Sequence, residues 1–314
     1  AYFRGKWFAD VLIRFFEMKR FLNISLLILI FAAGCEKEIT LDLPEPEDKI
    51  VVEGAIEQGQ FPYVVITRNT GYFEPVDSAA IMDLVVTDAV ITVSDGNITD
   101  TLQPVIDLFH LPFLKYQGSK IIGESGKTYS LMIQAEGEIY TAQTTIPNPV
   151  QLDSIKPKFE ETAANGDSLY ILWFYFKDPD SLGNYYRIFS KTIGKDFIFV
   201  RPFGSVADDK IINGKPVEFS IYRGRDPLRD SEYDDEGLDE NGIPRWAYLK
   251  GESVIMKFTT IDYIHYDFWY SIEQQMMTYA NPLASSVSAR TNISGDALGI
   301  WGGYGVFLDT VKIK

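Results

Sequence analysis

Thr128-Tyr129-Ser130-Leu131-Met132-Ile133-Gln134-Ala135-Glu136-Gly137-Glu138-Ile139-Tyr140-Thr141-Ala142-Gln143-Thr144-Thr145-Ile146 is the stretch on which the fold turns. Tyr129, Leu131, Ile133 and Ala135 alternate with Thr128, Ser130 and Gln134. A period of two puts these sets on opposite faces of an extended chain, which marks a strand with one buried face. Glu136-Gly137 gives a tight connection, and Tyr140, Ala142 and Ile146 return with polar Thr141, Gln143 and Thr145 between them.

Working outward, Val85 to Val93 repeats the pattern. Val85, Ala89, Ile91 and Val93 share one face, Asp88, Thr92 and Ser94 the other, and Asp95-Gly96-Asn97 turns the chain. Further strands are expected at Ile50 to Ile56 and Tyr63 to Thr67. About seven short strands with turns at this spacing predict an immunoglobulin-like or transthyretin-like sandwich over residues 49–149. Such a sandwich serves more often as a spacer or binding module than as an enzyme.

Pro147 to Pro157 reads as a junction, and residues 150–314 as a second, β-rich domain. Leu169 to Phe176 is apolar at every position, as in a strand buried on both faces; an exposed aromatic strip for sugars is the other reading. Strands follow at Tyr185 to Lys191, Phe197 to Val200, Val217 to Tyr222, Val254 to Thr259 and Val306 to Ile313. One amphipathic helix is expected over about residues 261–279, with Ile261, Ile264, Phe268, Ile272, Met276 and Tyr279 forming a core-facing stripe and Asn281-Pro282 ending it.

The chain carries a net charge of −15. Nucleic acid is therefore a poor partner, because it requires basic surface. The only cysteine, Cys35, follows Met18-Lys19-Arg20, the mostly apolar run Phe21 to Phe31, and Ala32-Ala33-Gly34. A basic head, an apolar segment and small residues before a lone cysteine are the arrangement of a bacterial lipoprotein signal. Residues 1–17 are then an upstream extension, 18–34 the signal peptide, and Cys35 the acylated residue. Residues 35–48, acidic and carrying Pro44 and Pro46, form a tether. With no other cysteine, disulfides cannot brace the fold, and its stability rests on core packing.

Chemistry-bearing candidates are few. His110 and His265, the only histidines, belong to no HExxH or GxSxG pattern. Asp226 to Gly242 is the most polar block. Its Asp230, Glu232, Asp234, Glu236 and Asp239 offer the clustered oxygens that calcium wants, but Ile243 stands where a calcium loop needs a bidentate Glu. A solvated loop without a cofactor is the simpler reading. Trp246 and Tyr248 are candidates for stacking on a sugar face. Paired carboxylates for glycoside hydrolysis cannot be selected from so many acids.

In their order along the chain, several motifs carry a resemblance. They are Cys35 with Leu41-Asp42-Leu43-Pro44, Ile50-Val51-Val52-Glu53-Gly54, Gly126-Lys127-Thr128-Tyr129-Ser130-Leu131, Ile146-Pro147 with Asp153-Ser154-Ile155, Asp178-Pro179 with Asn184-Tyr185-Tyr186-Arg187, and Asn292-Ile293-Ser294-Gly295 with Gly299-Ile300. From Cys35 to Lys314 the chain resembles the Bacteroidota lipoproteins classed as domain of unknown function 4249. The resemblance implies an outer-membrane, lipid-anchored protein at the cell surface beside a TonB-dependent receptor, and it brings no catalytic residues. It also implies that Asp-Ser/Thr-aliphatic tripeptides such as Asp180-Ser181-Leu182 are O-glycosylation acceptors. The expected function is non-enzymatic, as an accessory or ligand-capture partner of such a transporter. A carboxylate-dependent glycan hydrolase and a structural or adhesive envelope protein are the alternatives.

Overall fold

A computed structural model describes residues 47–69, 83–109, 111–234, 236–278 and 289–314. Cys35, the signal and most of the tether lie outside the described residues, as does His110. Among the described residues the fold is mainly β with one α-helix.

The central element is an eight-stranded sheet. Its strands are β1 (Ile50–Glu57), β2 (Tyr63–Arg68), β5 (Gln103–Ile106), β6 (Leu114–Gln117), β11 (Tyr185–Thr192), β12 (Val206–Asp208), β15 (Ser253–Ile261) and β16 (Leu298–Lys312), in the order β12-β11-β15-β16-β1-β2-β6-β5. The last strand of the chain therefore lies beside the first described strand, in parallel, with Gly54 opposite Trp301. Two four-stranded sheets complete the architecture. One holds β3 (Val90–Ser94), β4 (Thr99–Thr101), β7 (Thr128–Ala135) and β8 (Glu138–Thr145); the other holds β9 (Ser154–Thr162), β10 (Ser168–Lys177), β13 (Pro216–Ile221) and β14 (Tyr248–Leu249). The quoted hairpin is β7-β8, paired from Thr128–Thr145 to Ala135–Glu138, with Glu136 and Gly137 both at positive φ.

The period of two assigns the faces of the large sheet. Ile50, Val52, Ile56, Val64, Ile66 and Trp301 face β3, β7 and β8 and form one core with Ile91, Val93, Tyr129, Leu131 and Ile133. On the same face, Tyr186, Ile188, Val254, Met256 and Phe258 form a second core with Leu172, Phe174 and Phe176 of β10. The two small sheets thus share one face of the large one, each as half of a sandwich. The alternate positions of the same strands, Ala55, Tyr63, Tyr185, Arg187, Phe189, Lys257, Ile261 and Tyr304, point the other way. That second face carries the helix α1 (Tyr263–Thr278). Asp262 caps the helix, its Oδ1 accepting the His265 N–H at 2.8 Å.

Four expectations are corrected. Leu169 to Phe176 is buried on both faces only in part: Leu172, Phe174 and Phe176 enter the core and Leu169 and Ile171 are also buried, while Tyr170, Trp173 and Tyr175 are half-buried and Lys158 Nζ sits 3.6 Å above the Trp173 ring. Phe197 to Val200 forms no strand, only a bridge from Val200 to Ser190. The last strand begins at Leu298, eight residues before Val306, because Gly302, Gly303 and Gly305 let it pass under crowded neighbours. A Cβ on Gly302 would lie 2.1 Å from the His265 ring, and one on Gly305 2.1 Å from the Pro147 carbonyl oxygen. Finally, the buried side of α1 is His265, Phe268, Ser271 and Glu273, whereas Ile264 and Met276 of the expected stripe are exposed. Tyr279 lies outside the described residues. The helix packs over charged strand residues, so its buried side is mixed rather than apolar.

Candidate functional site

The second face of the large sheet is not closed by the helix. A cleft of about 750 Å³ opens over it, floored by β1, β2, β6, β11, β15 and β16 and walled by Trp269 of α1 and by the segments around Phe109, Phe199 and Pro227. Phe61, Phe109 and Leu111 stand exposed among its lining residues. Although the chain is acidic overall, six cationic side chains line the cleft (Lys115, Arg187, Lys191, Arg201, Arg225 and Lys257) against three carboxylates, Glu53, Glu57 and Asp107.

Two of these cations are ion-paired in place and a third is hydrogen-bonded. Lys257 Nζ pairs with Glu57 at 2.7 Å, Lys115 with Asp107 at 2.7 Å, and Lys191 Nζ donates to the Phe197 carbonyl at 2.8 Å. Arg187 is different. It is 4 % exposed, and among the described residues its guanidinium has no carboxylate within ion-pair distance. Its Nη1 donates to the Tyr304 hydroxyl at 2.9 Å, its Nε has no partner, and its plane lies 3.6 Å from the Trp269 ring and 4.8 Å from the Phe189 ring. A cation–π contact with a desolvated ring contributes about 2 kcal/mol. Removing a guanidinium from water costs several kcal/mol. Aromatic faces and one hydroxyl leave part of that cost standing, which an anion would offset.

Arg201 is the neighbouring cation. Its Nη1 is 4.0 Å from Glu273, whose Oε1 already accepts the Ser205 N–H at 3.0 Å and the Ser205 hydroxyl. Burial, and then the charge of Arg187, lower the affinity of Arg201 for its proton. Burial likewise pushes the Tyr63 and Tyr304 hydroxyls up, so both rings remain neutral donors and acceptors. His265 lies under Tyr304, ring centroids 4.5 Å apart, and burial followed by the Arg187 charge holds its imidazole well below the usual value. Neither of its ring nitrogens has a hydrogen-bond partner and it is 1 % exposed, so it is walled off from the cleft as a proton carrier.

The residues singled out from the sequence lie elsewhere. Asp234 Oδ1 accepts the N–H groups of Glu236 and Leu238, Asp239 Oδ1 those of Asn241 and Ile243, and Glu232 pairs with Arg229. These carboxylates hold turns, and among the described residues no three acidic, His or Cys side chains gather as a metal-holding group. The Asp230 side chain lies outside the described residues. Tyr248 cannot stack on a ligand: it is fully buried in β14, its hydroxyl donating to Ser190 Oγ at 3.0 Å. Trp246 is half-buried, edge-on to Tyr222 at 5.3 Å, beside a shallower depression with Arg245 and Leu238.

Sequence reasoning gave Arg187, Arg201, Lys257, Trp269 and Tyr304 no binding role. A signal existed: Arg187 and Lys257 are charges at alternating positions inside the apolar strands Tyr185 to Phe189 and Val254 to Phe258. Charges there must face either solvent or a polar cavity.

No curated protein matches the chain. The sequence profile of one family does, over residues 36–308, which takes in every residue that lines the cleft. The protein therefore belongs to the family described as domain of unknown function DUF4249.

Proposed function

We propose that this protein is a lipid-anchored capture module of the outer membrane. Cys35 carries the anchor, residues 35–48 hold the domain off the bilayer, and the cleft takes a small solute for a TonB-dependent transporter. The observation that supports this reading is the cleft itself: about 750 Å³, with aromatic side chains and unevenly neutralised charge, which suits it to bind and orient a small molecule.

Isolation of the full protein from native outer membranes in mild detergent tests the assignment. A TonB-dependent barrel is expected to accompany it in near-equal amount. Recovery of the protein alone would remove the transporter partnership. A Cys35→Ser variant is expected to appear in the soluble fraction; unchanged membrane retention would remove the anchor.

A further inference from the structure

Arg187 and Arg201 belong to different elements, a central strand of the large sheet and the segment beyond β11, and they line one cavity. Like charges brought together repel, and this pair is only partly compensated. Arg201 faces Glu273 at 4.0 Å, a carboxylate already engaged by Ser205, and Glu53 in the same lining offsets a further part of its charge. Arg187 has only the Tyr304 hydroxyl and two aromatic faces. The contact with Trp269 and the Tyr304 hydroxyl on Nη1 hold the guanidinium at the cavity wall, and a guanidinium matches the two oxygens of a planar acceptor better than an ammonium does. Around the two cations the cleft turns apolar, with Phe189, Phe199 and Leu111 in its lining. A wholly inorganic anion would leave those surfaces unused.

We propose that the cleft takes a small organic carboxylate, its carboxylate group held by Arg187 and Arg201 and its apolar body lying against Phe189, Phe199 and Leu111. This rests on the reading of the cleft as a capture site and adds the chemical class of what is captured. Lys257 and Lys115 do not share the task, because Glu57 and Asp107 already occupy them.

Calorimetric titration of the full chain in mild detergent tests this. The probes are a panel of aliphatic and aromatic carboxylic acids of two to twelve carbons, each beside its uncharged amide, together with inorganic phosphate and phenyl phosphate. At least one acid is expected to bind at least 10-fold more tightly than its amide and than either phosphate. That preference is expected to vanish in Arg187→Met and to fall severalfold in Arg201→Gln, a partly exposed position, with circular dichroism confirming that each variant is folded. Arg187→Lys, which keeps the charge without the planar fork, is expected to restore only part of it. Acids and amides binding equally would overturn the carboxylate assignment while leaving capture intact. Phosphates binding in preference would overturn it in favour of phosphoryl recognition. No binding of any probe at millimolar concentration would overturn both the assignment and the capture reading.

Discussion

Arg187 and Arg223 are buried to nearly the same extent, 4 % and 5 % exposed, yet the protein treats them in opposite ways. Arg223 is locked into an ion pair with Asp196, itself buried, and donates from Nη1 to the Tyr233 hydroxyl at 3.0 Å. Asp196 in turn accepts the Thr192 N–H at 2.6 Å, and Asp226 alongside accepts the Phe197 N–H at 2.9 Å. Burial works against the Arg223 charge, but the Asp196 hydrogen bond and charge outweigh it and hold the guanidinium firmly protonated. This arginine ties the segment after β11 to the segment after β13. Arg187 has comparable burial, a tyrosine and two rings, and no carboxylate. Both have an unpartnered Nε, so the difference lies in the missing anion. A buried cation whose counter-charge comes from the chain is structural; one whose counter-charge is absent is poised to receive it from outside.

That contrast can be broken experimentally, and the largest effect is expected at the closed pair. Asp196→Ala strands the Arg223 charge and is expected to cost about 3–5 kcal/mol in urea unfolding; a loss below about 1 kcal/mol would remove the distinction. The second effect concerns His265, which burial, and then the cleft cation, keep neutral. Its folded pKa is depressed below the unfolded 6.5, so the unfolded chain binds more protons and stability falls as pH drops below about 6.5. The slope contributed by one proton is at most about 1.4 kcal/mol per pH unit. Asp262 at the helix cap, its pKa raised by burial, works in the opposite sense. Unfolding measured between pH 6.5 and 5 is expected to be visibly flatter in His265→Asn than in the parent; parallel curves would refute it.

Tyr304→Phe removes the one hydroxyl that accepts from Arg187 and is expected to cost about 1 kcal/mol. The smallest effect is expected for Arg187→Met. It removes a buried charge that has no ion-pair partner to strand, so stability by the same urea assay should change by less than about 1 kcal/mol or rise. A loss as large as that of Asp196→Ala would show that Arg187 is structural after all.

How much of this could be read beforehand differs from element to element. The β7-β8 hairpin was legible to the residue, because one face is buried and the Glu136-Gly137 connection supplies the positive φ that the turn demands. The helix was placed within two residues at its start, yet its buried side was misread: Ile264 and Met276 fit an apolar stripe, but the face beneath carries Arg187 and Tyr304, and His265 and Glu273 turn inward to meet it. The cleft was not legible at all. Its floor joins Glu57 and Tyr63 to Arg187, Lys257 and Tyr304, and no local spacing announces that the last strand returns to lie beside the first.

Local alternation, turn chemistry and motif order along the chain carry the β class, the strand periods, the helix over Tyr263–Thr278 and the family. Only the tertiary structure decided that one eight-stranded sheet serves both cores with a single face and keeps the other for a cationic cleft. The physical reason is that a period of two tells which residues share a face of a strand, but not what covers that face. That depends on which strands become neighbours, and here the deciding pair, β1 and β16, is separated by almost the whole described chain.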